Sequence, residues 1–296
     1  GFEVIIERDV PVDPTAVRPA ALPHQLPITQ WVFTAPPGMP RIDVDRAANA
    51  ALLAIEQIAY GTPDLAGLYP LSLSIRTQTL KGRLNADEVI RYFTDLADPR
   101  HSVCTLYFHT RFSTNTEPHP SMAQPFRLMA HNGELNTDKK NRIAQVTAAA
   151  AARRSIVRPP GQSDSSRLDQ TVAARVTEDR VDLVTAIVSM MPPAWENDNS
   201  LSPRVRAMFE YFSLYEEKND GPAALIFNDG DVVGARGADE LAVEEGEDIG
   251  GVAKPVAEGT AQRTGGIAED GIAPAGICGV EEEGIVALGA QGGKDP

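Results

Sequence analysis

The sequence predicts an α+β fold in which an antiparallel or mixed sheet is layered with helices. Three observations predict it. Segments with strand and helix patterning both occur, but without the regular strand–helix alternation of a doubly wound fold. Two apolar runs, His101 to His109 and Pro125 to Ala130, read as buried central strands, and each ends at a polar cluster. The 296 residues, 42% of them hydrophobic, suffice for a sizeable core.

Each element follows from local chemistry. Phe2 to Ile6 reads as a strand, a proline-punctuated connection runs to about Leu26, and Trp31 to Phe33 lies in a second strand. Asp45 to Tyr60 has helical periodicity, and Leu71 to Thr79 alternates as a strand does. Asn85, with Glu88 three residues on, resembles a capping box opening a helix through Leu96. Asn136 to Arg154 is an alanine-rich helix, followed by helices at Ser165 to Val176, Asp182 to Met190 and Pro203 to Glu217. A hairpin, Ala223 to Phe227 with Val232 to Ala235, turns through Asn228-Asp229-Gly230-Asp231, residues that tolerate the positive φ of tight turns.

Charge divides the chain. Residues Gly237 to Pro296 include 13 acidic and 3 basic side chains, so this fifth of the sequence carries most of the formal −14. It holds 14 of the 24 glycines and no Phe, Tyr, Trp, His or Met, which leaves little apolar surface to offset ordering entropy. The expectation is a folded domain over 1–236 and a flexible Gly-rich acidic tail over 237–296, in which a short patch such as Gly284 to Leu288 could add a strand. An acidic chain is a poor partner for a phosphate backbone, so no nucleic acid is expected. Two cysteines, Cys104 and Cys278, cannot make a disulfide framework or a full iron–sulfur ligand set. With no apolar run of membrane-span length and no signal pattern at the start, the expectation is a soluble, cytoplasmic protein that spans no membrane.

Three polar stretches could carry chemistry. In His109-Thr110-Arg111-Phe112-Ser113-Thr114, the arginine can offer a bidentate fork to a carboxylate, with the Ser113 and Thr114 hydroxyls alongside; an ordinary polar loop is the alternative. In His131-Asn132-Gly133-Glu134, an asparagine amide beside a glycine N–H is the donor pair a developing oxyanion needs; the alternative is a type I′ hairpin turn. In Ser163-Asp164-Ser165, Asp164 could hold an ammonium group or cap the helix that follows. Together they describe a pocket for a zwitterionic amino acid whose side-chain carbonyl is attacked. No His-x-x-x-His or Cys-x-x-Cys spacing supports a metal, and none is expected; His109 and His131 read as core or loop hydrogen-bonding residues.

These stretches, with Ala123-Gln-Pro-Phe-Arg, Asp9-Val-Pro-Val-Asp, Leu71-Ser-Leu-Ser-Ile-Arg-Thr, Lys81-Gly, Met191-Pro-Pro-Ala-Trp and Asp220-Gly-Pro-Ala-Ala, closely resemble the class II glutamine amidotransferase domain of the glutamate synthase large subunit, from about Phe2 to Arg236. The resemblance implies an N-terminal-nucleophile hydrolase fold, an αββα sandwich, here incomplete at its N-terminus, that hydrolyses L-glutamine to glutamate and ammonia. Carried over by motif, Arg111 with Thr114 would bind the α-carboxylate, Asp164 the α-amino group, and Asn132 with Gly133 would form the oxyanion hole. The parent enzymes pass ammonia to 2-oxoglutarate at an FMN domain with an iron–sulfur cluster, using NAD(P)H or ferredoxin. Those cofactors are expected outside this chain, and the synthase domain or subunit is the implied partner.

The family's nucleophile is an N-terminal cysteine whose own α-amine serves as base. This sequence starts at Gly1, so activity is expected only if another segment supplies that cysteine; the alternative is an inactive glutamine-binding or scaffolding remnant. Cys104, inside an apolar run, reads as a structural thiol. Cys278-Gly279-Val280 looks like the family's opening tripeptide but is internal. After Gly234-Ala235-Arg236 the family's basic continuation is replaced by the acidic, glycine-rich segment.

Overall fold

The computed structural model describes residues 2–101, 103, 105–109, 120–153, 156, 162–214 and 216–237, and the backbone of 241–245 and 286–291. In chain order the elements are β1 (Glu3–Asp9), β2 (Ile28–Thr34), α1 (Arg41–Gly61), β3 (Tyr69–Pro70), α2 (Ala86–Tyr92), β4 (Met129–Gly133) and α3 (Asp138–Ala151). Then follow α4 (Asp164–Thr177), α5 (Leu183–Met190), α6 (Pro203–Ser213), β5 (Ala223–Asn228), β6 (Val232–Arg236), β7 (Leu241–Glu245) and β8 (Val286–Gln291). The composition is mixed α and β. The chain forms two compact units, the first built on residues up to Arg127 together with β8, the second on Leu128 onward through β7.

The first unit contains an antiparallel sheet in the order β1-β2-β8-β3. In β2 the period-two pattern is realised, with Ile28, Gln30 and Val32 buried and the residues between them partly exposed. Ile28 joins a core with Val10, Val17, Tyr69, Leu71, Tyr92 and Phe93. Helix α1 buries Val44, Ala48, Leu52 and Glu56 at a spacing of four, so one face carries the packing. Glu56 is charged within that face and pairs with Arg127 at 3.1 Å. Burial, with the Glu56 carboxylate alongside, pushes the Tyr60 phenol up to about 12.

Three expectations in this unit are corrected. Leu71 to Thr79 is not a strand: the Ser74 hydroxyl accepts the amides of Arg76 and Thr77, and Ser72 accepts that of Thr79. These side chains take amides a ladder would need. Helix α2 ends at Tyr92 rather than Leu96 because the Thr94 amide turns to the Pro11 carbonyl, beside a bridge between Val12 and Phe93. The described residues of His101 to His109 form no strand, and Val103, Leu106 and Phe108 are exposed. That run is apolar without being buried.

The second unit is built on an antiparallel sheet in the order β4-β5-β6-β7. Strand β5 alternates, burying Ala223, Leu225 and Phe227, and these meet Leu168 and Val172 of α4 and Leu183, Ala186, Ile187 and Met190 of α5 in one core. Trp195 stacks on Phe209 of α6 at 5.8 Å in a smaller cluster. The expected hairpin is present: Gly230 takes φ +92°, and the carboxylate of Asp229 accepts the amides of Asp231 and Val232. From the acidic segment, β7 pairs with β6, and β8, at the patch singled out in the sequence, pairs with β2 and β3.

Candidate functional site

The site is built on β4 and the N-terminus of α4. Strand β4 begins only at Met129, later than the apolar run starts, because the Leu128 amide is held by the buried Asp169 carboxylate of α4 at 2.8 Å. In β4 the pairs Met129–Phe227, His131–Leu225 and Gly133–Ala223 lie opposite one another, so these β4 residues share the face that α4 and α5 cover. Asn132 stands on the other face, exposed. Its amide has no hydrogen-bond partner among the described residues. Asn132-Gly133 therefore lies at a strand end, not in the two-residue hairpin turn the dipeptide alone would favour.

Gly133 is required by its surroundings. Its φ is +135°, and a Cβ there would meet the Pro222 carbonyl oxygen at 1.9 Å. The same approach is repeated one step away: Gly221, at φ +151°, brings its Cα against the Glu134 carbonyl, where a Cβ would lie 2.0 Å from the oxygen. Between them Glu134 donates to Pro222 and Asn136 to Asp220. The buried Asn141 side chain reinforces this crossing by donating to the carbonyls of Glu217 and Lys218. Chain segments at both sides of the strand end are thereby fixed through backbone contacts, which is what a pair of oriented donors requires.

Asp164 opens α4. Ser163, not Asp164, is the N-cap, its hydroxyl accepting the Ser166 amide at 3.1 Å. The Asp164 carboxylate therefore does not serve as the N-cap. Its Oδ1 accepts the Ser165 amide at 2.7 Å and the Ser165 hydroxyl at 3.1 Å, and its Oδ2 accepts the Leu135 amide at 3.3 Å. Leu135 follows Gly133 by two residues, so the structure brings Asp164 to the same strand end as the Asn132-Gly133 pair. The carboxylate is half-buried, placed to accept a donor from solvent.

Arg111 and Thr114 lie outside the described residues, as do Cys104 and Cys278. His109 is half-buried, whereas His131 is buried and its Nδ1 lies 2.7 Å from the Ser165 hydroxyl. The sequence singled out His131 as a hydrogen-bonding residue but not its partner, 34 positions away. The sequence did not show the bracing role of the Asp220-Gly-Pro segment; the available signal was a glycine, free to take positive φ, followed by a proline with fixed φ. Among the described residues no group of three or more His, Cys, Asp or Glu converges to hold a metal, and no helix is long and apolar enough to cross a membrane.

A family model described as "Glutamine amidotransferases class-II" matches residues 1–238. Ferredoxin-dependent glutamate synthase 2 of Synechocystis sp. is 32% identical over 241 residues, which cover 77% of this chain and 15% of that protein. Glutamate synthase [NADH] of Schizosaccharomyces pombe is 31% identical over 248 residues, 79% of this chain and 12% of the relative. The chloroplastic ferredoxin-dependent glutamate synthase 2 of Arabidopsis thaliana is 32% identical over 250 residues, 79% and 15%. The chain thus spans less than a sixth of the length of these relatives.

Proposed function

Since the chain belongs to the class II glutamine amidotransferases and is related to the glutamate synthases, we propose that its strand end at β4 recognises L-glutamine and stabilises the oxyanion formed when the side-chain amide is attacked. Asp164 takes the α-ammonium, and the Asn132 side chain with the Gly133 N–H takes the amide oxygen as charge develops on it. Arg111 and Thr114 take the α-carboxylate, a role that rests on motif alone. The products are glutamate and ammonia, the latter transferred to 2-oxoglutarate by a synthase domain or subunit. The observation that carries the reading is the meeting of the Asp164 carboxylate with the end of β4 through the Leu135 amide. The αββα sandwich belongs to the proposal, supported by the family match and by two four-stranded antiparallel sheets. So does a domain boundary near Arg236, supported by a match that stops at residue 238.

Binding an amino acid at both ends and donating to its amide oxygen favours the tetrahedral state over the planar amide, because the donors are fixed before charge develops. Loss of one such donor costs on the order of 100- to 1000-fold in rate.

Calorimetric titration of the full chain with L-glutamine, run beside an ammonia-release assay, tests the reading. Saturable binding that Asp164→Ala and Arg111→Ala each weaken supports it. Absence of binding, or binding indifferent to both substitutions, contradicts it.

A further inference from the structure

Beside Asp164 lies the most deeply buried polar contact of the strand end, and the reading above does not use it. His131 is 2% exposed and Ser165 5%, with Nδ1 and Oγ 2.7 Å apart. The Ser165 hydroxyl also lies 3.1 Å from Oδ1 of Asp164. A hydroxyl has one hydrogen and an ionised carboxylate only accepts, so the hydroxyl donates to Asp164 and accepts from the Nδ1–H of His131. That order assigns the imidazole tautomer and gives the chain of bonds a direction, from β4 into the carboxylate.

We propose that His131 and Ser165 are positioning residues for amine recognition: His131 orients the Ser165 hydroxyl, which with the Ser165 amide clamps Oδ1 of Asp164 and leaves Oδ2 facing the ligand's α-ammonium. The inference rests on the reading of Asp164 given above. A carboxylate has about four acceptor positions. Among the described residues Oδ1 fills two on Ser165 and Oδ2 fills one on the Leu135 amide, which leaves one, on Oδ2. The terminal torsion of an aspartate is broad, so without Ser165 the carboxylate plane would rotate instead of holding one oxygen toward the ligand. His131 immediately precedes Asn132 on β4. One buried link therefore sets the carboxylate for the amine in register with the strand that carries the oxyanion donors.

A ligand pair that differs only in the α-amine isolates this role. The full chain is titrated with L-glutamate and with glutarate, neither of which can turn over, and the ratio of dissociation constants is compared among variants. In the wild type L-glutamate binds more tightly, and Asp164→Asn abolishes the preference. Ser165→Ala is expected to weaken L-glutamate by about tenfold, the worth of one hydrogen bond to a charged group, and glutarate by less than twofold. His131→Leu should act in the same way, and His131→Asn, which restores a donor near the Nδ1 position, should recover most of the preference. The histidine pair carries the test if Ser165→Ala does not fold. Equal weakening of both ligands, or an unchanged preference in Ser165→Ala and His131→Leu while Asp164→Asn loses it, overturns the inference alone. A wild type that binds neither ligand removes the reading of Asp164 along with it.

Discussion

At Gly133 the backbone conformation and the neighbouring carbonyl act together: φ is +135°, and a methyl group would lie 1.9 Å from the Pro222 oxygen. Rigid backbone on the far side cannot yield as a side chain could. Gly133→Ala is expected to cost about 3 kcal/mol, combining a disfavoured φ with overpacking, and to lower Tm by on the order of 10 °C. Gly61, with nothing within 4 Å of its added Cβ and no positive φ, should accept alanine with Tm unchanged or slightly raised. Thermal unfolding of the two variants side by side checks the contrast. At this scale the sequence shows which residue types are present but not which of several equivalents acts. Ser163, Asp164 and Ser165 can all cap a helix, and only the fold reveals that Ser163 does so and leaves Asp164 to the strand end. The His131–Ser165 contact joins positions 34 apart, and no local pattern announces it.

Elements with self-contained signals were legible. The capping box of α2 is one: the Glu88 carboxylate accepts the Asn85 amide at 2.7 Å, and that bond, with Arg18 near, holds its carboxyl below the ordinary value of 4.5. A depressed folded-state value means the stabilisation is present above the unfolded value and is lost as pH falls through the folded one. Melting of the wild type between pH 7 and pH 2 should therefore steepen below about pH 4.5, and Glu88→Gln, which has no carboxyl to titrate, should flatten that limb. The hairpin from β5 to β6 was equally readable, because Asn, Asp and Gly direct the turn themselves. Apolar runs were less so. Composition cannot say what a run packs against, and Val103 at 49% exposure shows that hydrophobic content alone does not make a central strand. Phe227, fully buried where β5 meets α4 and α5, is the opposite case: Phe227→Ala should cost about 3–5 kcal/mol in denaturant unfolding.

Over the whole molecule, the mixed α and β character followed from patterning, and the apolar run Pro125 to Ala130 leads into β4, which ends at Asn132-Gly133. The sheet orders were not legible: β8 lies between β2 and β3, and β4 beside β5, pairings between segments far apart in the chain. Nor did composition place strand β7, whereas β8 falls at the patch Gly284 to Leu288 that the sequence offered as a strand; both are joined to their sheets through backbone pairing. β4, α4 and the Asp220–Pro222 segment converge on one strand end, the Asp220–Pro222 segment through backbone contacts and α4 through the Asp164 carboxylate. A crystal structure of the full chain with L-glutamate bound tests that most directly. The account predicts the ligand's ammonium within about 3 Å of Oδ2 of Asp164, with its side-chain carboxylate against the Asn132 amide and the Gly133 N–H; a ligand seated elsewhere, or turned so that its ammonium avoids Asp164, contradicts it.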